Sequence, residues 1–188
     1  MNSNKHQQVS FDNELLILIN EKDEIVGYKD KTACHTGEGI LHRAFSIFIF
    51  NEQGQVLMQK RSEQKLLWSL YWSNSCCSHP RKGENYEIAT QRRLKEELGF
   101  TTDLKFLFKF QYQARFKDVG SENELCSVYI GKSDAPVVVN ENEIAEWKFM
   151  EIAELEEELV IHPDNFTPWF KMEWERIRKE YWGEIERL

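Results

Sequence analysis

The sequence predicts one α+β domain, a mixed β-sheet flanked by helices, and three observations carry that reading. At 188 residues the chain has the length of one domain, enough to bury about 70% of its unfolded surface without a disulfide or metal staple. Strand-like runs dense in aromatic and β-branched residues dominate the chain up to about residue 140, interrupted by one long segment of helical period. Helical patterns then return in the C-terminal part. No repeat, low-complexity tract or linker divides the chain, so residues 1–188 form one domain, with 1–11 expected as a loose N-terminal extension.

Leu15–Asn20 is a compact apolar run, and Glu24–Tyr28 can pair with it across the turn-like Glu21–Asp23. Lys29–Ile40, rich in Thr, Gly and charge, reads as a loop. Arg43–Phe50 (RAFSIFIF) has the composition of a buried strand. Asn51–Gly54 turns it back into Gln55–Gln59, a hairpin. Trp68–Ser73 is a further short strand. Over Glu84–Leu98 the period changes: Ile88, Ala89, Leu94 and Leu98 recur at helical spacing and Gly99 stops the helix. Leu104–Phe116 alternates as a long strand with one aromatic face, and Glu122–Gly131 is its antiparallel partner. Pro136–Val139 and Trp147–Met150 are short strands around the acidic loop Asn140–Glu146. Ile152–Leu159 and Thr167–Tyr181 are helices, Pro168 standing in the first turn of the second.

The formal charge of −8 is unevenly placed. Residues 1–140 carry 18 acidic and 18 basic side chains, whereas 141–188 carry 14 and 6. The acidic quarter reads as a solvated surface. Residues 41–100 hold a local excess of 3 positive charges around Lys60, Arg61, Lys65, Arg81, Lys82, Arg92 and Arg93. That distribution disfavours nucleic acid and fits a small anionic ligand. No apolar run approaches the roughly 20 residues that span a bilayer, and the N-terminus lacks a signal-peptide core. A cytoplasmic protein with no membrane partner is expected. Cys34, Cys76, Cys77 and Cys126 follow no disulfide framework and should be free thiols. The oligomeric state is open and compatible with a monomer.

Three of the five histidines, His35, His42 and His79, stand beside strands or turns. Glu122 and Glu124, two apart on a strand, project to one face. Like charges so placed repel unless a cation or shared proton lies between them. Three imidazoles and two carboxylates form an N/O donor set suited to zinc or manganese. Structural histidines and a solvated strand edge would account for the same residues, and spacing alone does not establish convergence. Cys77 and His79 share a face if extended, with Cys76 facing away. A nearby cation or imidazolium makes a thiol a useful proton-transfer group, so Cys77 is the better candidate. On the central helix, Arg93 and Glu97 share a face. They form either a surface ion pair, or a carboxylate for a divalent metal with an arginine for its phosphate.

This helix resembles the Nudix motif G-x5-E-x7-R-E-U-x-E-E-x-G-U. Glu84, Arg92, Leu94, Glu96, Glu97, Gly99 and Phe100 match, while Ser78 replaces the leading Gly and Arg93 replaces a metal-binding Glu. That replacement argues against diphosphate hydrolysis. Cys34-His35-Thr36 with Leu41-His42, Asn74-Ser-Cys-Cys-Ser-His-Pro80, Glu122-Asn-Glu-Leu-Cys126 and Phe166-Thr-Pro-Trp169 resemble type 1 isopentenyl-diphosphate isomerases. The likeness runs in order over roughly residues 12–182. It implies a Nudix-like fold and interconversion of isopentenyl and dimethylallyl diphosphate, a step of isoprenoid precursor biosynthesis. It implies that His35, His42, His79, Glu122 and Glu124 hold one divalent ion: manganese or zinc, with magnesium as a third option. Glu97 would help bind a Mg²⁺ on the substrate diphosphate, contacted by Lys31, Arg61, Lys65 and Arg93. Cys77 and Glu124 would transfer protons, Tyr112 assisting Glu124. Trp169, with Trp72 as a second candidate, would face the carbocation. The alternatives are a Nudix pyrophosphohydrolase and a non-catalytic, metal-stabilised binding module.

Overall fold

The computed structural model describes residues 5–188. Its strands are β1 (Leu15–Ile19), β2 (Ile25–Asp30), β3 (His42–Phe50), β4 (Val56–Arg61), β5 (Trp72–Ser73), β6 (Cys76–Ser78), β7 (Leu104–Phe116), β8 (Gly120–Lys132) and β9 (Ile144–Met150). The main helices are α1 (Lys31–His35), α2 (Tyr86–Leu98), α3 (Ile152–Ile161) and α4 (Pro168–Arg176). Strand β3 is the hub of one mixed sheet. It runs parallel to β8 from His42↔Glu124 to Phe50↔Lys132 and antiparallel to β6 at Ser46↔Cys77. It meets β1 at His42↔Leu18 and β4 at Phe50↔Val56. β8 carries β7 antiparallel on its other side, Tyr112 opposite Glu124. β4 carries β5 and β9.

This topology explains why β3 reads as a continuous apolar run: both faces are covered. Ala44, Phe48 and Phe50 pack toward α4, where Phe48 stacks on Phe170 at 6.0 Å and on Trp174 at 6.2 Å between ring centroids. Phe45, Ile47 and Ile49 pack on Ala89, Leu94 and Leu98 of α2. Each buried Phe, Ile or Leu among them contributes about 1.5–3 kcal/mol relative to exposure. Helix α2 is fixed at both ends. Asn85 Oδ1 accepts from Ile88 N at 2.8 Å, and Gly99 closes the helix at φ 82°.

Several elements differ from the expectation. The Lys29–Ile40 loop contains α1, nucleated by Asp30, whose Oδ1 accepts from Ala33 N at 2.8 Å. Trp68 and Leu70 adopt φ of 47° and 64°, incompatible with a strand, so only Trp72–Ser73 remains extended. Pro136–Val139 is not a strand; Val138 N instead donates to Leu98 O at 2.9 Å, tying the segment to the end of α2. The last helix passes through a π-helical turn, Ile177–Tyr181.

Of the expected loose extension, residues 1–4 lie outside the described residues. Residues 5–11 are pinned, not loose. Val9 is buried and its carbonyl accepts from Arg81 Nη2 at 2.7 Å and Arg93 Nη1 at 3.1 Å. Asn140 Nδ2 donates to Gln7 O at 2.8 Å and Asn142 Nδ2 to His6 O at 3.0 Å. Buried guanidinium and amide donors need acceptors, and this backbone supplies them.

The start of β8 lies against the end of α1 so closely that a Cβ on Gly120 would sit 2.4 Å from His35 O. Gly120→Ala should therefore cost about 1–3 kcal/mol through overpacking, lowering the thermal midpoint by roughly 2–4 °C for each kcal/mol. A midpoint equal to the wild type's would show that α1 is free to move away.

Candidate active site and metal centre

The pairing of β3, β7 and β8 sets His42, Glu124 and Tyr112 side by side. Alternation along β8 puts Glu122 on the same face as Glu124. α1 delivers His35 from above β8, and the segment leaving β6 delivers His79. One donor atom from each of His35, His42, His79, Glu122 and Glu124 lies within 4.8 Å of all the others.

The donor set fits a divalent cation on its own geometry. His35 Nδ1 donates to Lys31 O and His42 Nδ1 to Ile40 O, both at 2.7 Å. These bonds turn the bare Nε2 lone pairs inward. His35 Nε2 then faces Glu122 Oε2 at 2.8 Å, a repulsive encounter unless a proton or cation intervenes. His42 Nε2 and Glu122 Oε2 are buried without a hydrogen-bond partner. Burial opposes charge on His35, but the neighbouring Glu122 outweighs it and lifts the pKa to about 9. Burial, with His42 and His35 alongside, pushes His79 well down. These residues could thus hold a divalent metal ion. Glu124 is fixed further: its Oε1 lies 2.7 Å from His79 Nε2 and its Oε2 accepts from Tyr112 OH at 2.6 Å.

A cavity of about 440 Å³ opens beside this centre. His35, His79, Glu122, Glu124, Tyr112, Cys77 and Trp169 line it, together with Lys31, Arg61, Lys65 and Arg93. Cys76 points to the opposite core, as the alternation of β6 requires. Burial pushes the Cys77 thiol up to about 12, although Arg61 opposes the shift. Arg61 Nη1 lies 3.7 Å from Cys77 Sγ, and its guanidinium sits 5.2 Å from the centre of the Trp169 ring. The same side chain donates to Trp68 O at 3.0 Å and Leu67 O at 2.9 Å, bracing the left-handed residues of that loop. Trp169 Nε1 donates to Ser73 Oγ at 3.1 Å, fixing the indole. Trp72 does not line the cavity; its ring is approached by Lys60 at 5.9 Å and Lys148 at 5.3 Å.

Arg93 and Glu97 are more committed than their spacing implies. All five guanidinium donors of Arg93 are used: toward Glu97 at 3.0 and 2.5 Å, Glu143 at 2.9 Å, Glu96 at 3.2 Å and Val9 O at 3.1 Å. Glu97 lies behind Arg93 and is not part of the cavity wall. Burial, with Lys65 close by, lowers the Lys31 ammonium to about 8.

Two buried acids were hidden in the expected solvated quarter. Glu143 meets Lys65 and Arg93 at the cavity, and nothing in its local pattern distinguishes it from the other acids of the loop. Glu173 had a signal, a carboxylate within the helical apolar stripe Phe166, Trp169, Phe170, Trp174, Ile177. It is 0% exposed, and its Oε1 accepts from Cys126 Sγ at 3.5 Å. Burial raises its pKa from 4.5 to about 8, the Glu124 charge adding to the effect.

A family model described as a NUDIX domain matches residues 40–170. The structure resembles DR0079 from Deinococcus radiodurans with a TM-score of 0.65 and 27% identity, covering 79% of this chain and 90% of that one. It shares its fold with a MutT protein from Methanosarcina mazei Go1, at a TM-score of 0.62 and 20% identity over 74% and 94% of the two chains. Fold and helix α2 thus define a NUDIX-domain protein. Among curated relatives, isopentenyl-diphosphate Delta-isomerase 1 of Photorhabdus laumondii is 42% identical over 92% of this chain and 99% of its own length. The isopentenyl-diphosphate Delta-isomerase of Serratia proteamaculans is 41% identical over 84% and 87%. The chain belongs to the isopentenyl-diphosphate Delta-isomerase family. Among the described residues no helix is long and apolar enough to cross a membrane.

Adding Mn²⁺ or Zn²⁺ to metal-stripped protein should raise the thermal midpoint, by about 2.7 kcal/mol of stability at a hundredfold excess over Kd. His42→Ala should abolish that shift; a wild-type midpoint indifferent to either metal would count against the centre. Glu173 yields a pH prediction. Its folded pKa is raised, so its contribution is complete below about pH 4.5 and is lost as pH rises through about 8. Glu173→Gln should leave thermal stability near pH 4.5 almost unchanged and increase it near pH 8.5. Equal pH dependence in both proteins would show that Glu173 is ionised in the fold.

Proposed function

We propose that this protein interconverts isopentenyl and dimethylallyl diphosphate. The observation that carries the reading is one cavity lined by two proton-transfer groups from different strands, Cys77 and the Glu124–Tyr112 pair, beside an indole and a cationic wall. Proton addition to the terminal methylene of isopentenyl diphosphate creates a tertiary cation at C3, and proton loss from C2 gives the dimethylallyl isomer. Water would trap that cation, so the reaction needs an enclosed site with separate groups for the two proton movements. Cys77 and Glu124 serve as those groups. Tyr112 orients Glu124 through its hydrogen bond to Oε2. Trp169, held by Ser73, presents an indole to the cation, an interaction worth about 2 kcal/mol when desolvated.

Lys31, Lys65 and Arg61 retain unused donors for the diphosphate, whereas Arg93 acts mainly through its charge. By the family likeness Glu97 would help bind a Mg²⁺ carried on the diphosphate, although in the structure it lies behind Arg93 and Glu143 is the acid on the wall beside Lys65. Manganese or zinc suits the three imidazoles and two carboxylates best. Bound there, the ion would hold Glu124 in place and bias its protonation state. The reading places the protein in the cytoplasm, acting on a small molecule.

Incubated with Mg²⁺ and isopentenyl diphosphate, the protein should produce dimethylallyl diphosphate, measured by NMR or by acid lability. Cys77→Ala and Glu124→Gln should each abolish turnover, and Cys76→Ala should be largely tolerated. Phosphate release without an isomer would identify a hydrolase instead.

A further inference from the structure

Among the cations of the cavity stands a carboxylate that the proton chemistry does not use. Glu143 is 3% exposed. Its Oε2 accepts from Lys65 Nζ and, at 2.9 Å, from Arg93 Nη2. Those two bonds and the Coulomb field of Lys31 hold its carboxyl far below the usual carboxylate range, against the effect of burial. The backbone around it is clamped: Glu143 N donates to Asn140 O and Ser62 N donates to Glu143 O, both at 3.0 Å. Glu143 therefore stays beside Lys65 rather than swinging into solvent. Glu96 and Glu97 also pair with Arg93, but from outside the cavity wall. Glu143 is thus a fixed negative charge on the cavity wall, set directly against Lys65 and Arg93.

A bare diphosphate entering such a wall meets fixed negative charge at short range, in a setting where water screens poorly. A diphosphate already carrying a divalent cation meets far less repulsion and still finds the ammonium donors. We propose that Glu143 is a specificity-determining residue that makes this cavity select a diphosphate complexed with a divalent cation over the free anion. The proposal rests on the reading that the diphosphate binds among Lys31, Lys65 and Arg93, and it concerns selection, not proton transfer.

The test is calorimetric binding of inorganic pyrophosphate, with and without Mg²⁺, to protein loaded with Mn²⁺ at the His/Glu centre. Wild type should bind pyrophosphate well only with Mg²⁺. Glu143→Gln, with Glu143→Ala as a second neutral variant, should bind Mg²⁺-free pyrophosphate at least tenfold more tightly than wild type. The Mg²⁺ complex should change by less than threefold. Glu143→Asp, which keeps the charge, should keep the Mg²⁺ dependence. Equal weakening of both forms in the neutral variants would overturn the proposal and make Glu143 a brace for Lys65; no change in either form would overturn it as well. Failure of wild type to bind pyrophosphate under any condition would instead remove the diphosphate reading itself, and this inference with it.

Discussion

The parallel ladder between β3 and β8 is the constraint on which the remaining structure depends. Parallel strands need a long crossover, and here helix α2 and strand β7 lie within it. That crossover covers one face of β3 with α2 and places β7 beside β8. A shift of one residue in the ladder would turn His42 away from Glu124 and every β3 side chain to the wrong core. The same register therefore determines the packing of Phe45 and Phe48 on opposite faces and the meeting of imidazole with carboxylate. Core and site are specified together, so a register error cannot preserve one while losing the other.

Charge is organised on a second principle, local neutralisation. The basic island between residues 41 and 100 is largely consumed within the protein. Arg43 pairs with Asp23, Arg81 with Glu14, Arg92 with Glu84 and Glu96, and Arg93 with Glu97 and Glu143. The Arg93 pairs with Glu97 and Glu143 are buried on both sides; such pairs give modest net stability, but loss of one partner leaves an uncompensated charge costing about 3–5 kcal/mol. What remains at the cavity is a small group of ammonium and guanidinium donors with directional bonds to offer.

Much of this was legible in the primary structure, for physical reasons that differ from residue to residue. Strand alternation required Glu122 and Glu124 to share a face and Cys76 and Cys77 to face apart. The change of period at Glu84 with a glycine stop defined α2, and the aromatic alternation of β7 marked its partner β8. The convergence of His35, His79 and β8 was not legible, because it depends on tertiary placement of a five-residue helix and a loop. The roles of Lys31, Arg61 and Trp169 came from the family likeness, not from spacing. Glu143 was hidden because a buried acid in a polar loop has no periodic signature. The left-handed Trp68 and Leu70 were hidden because apolar residues rarely adopt that conformation, so the composition there argued for a strand.

The opposed orientation of Cys76 and Cys77 has a consequence for durability. Neighbouring thiols on a strand lie across the sheet from one another, so the two sulfurs cannot bond without breaking the β6 ladder. The cavity thiol therefore has no resolving partner in its neighbour, and its burial, which holds it in the thiol form, is what keeps it from oxidation. The alternation that brings a single sulfur to the cavity thus leaves that sulfur to be protected by its surroundings and not by a disulfide.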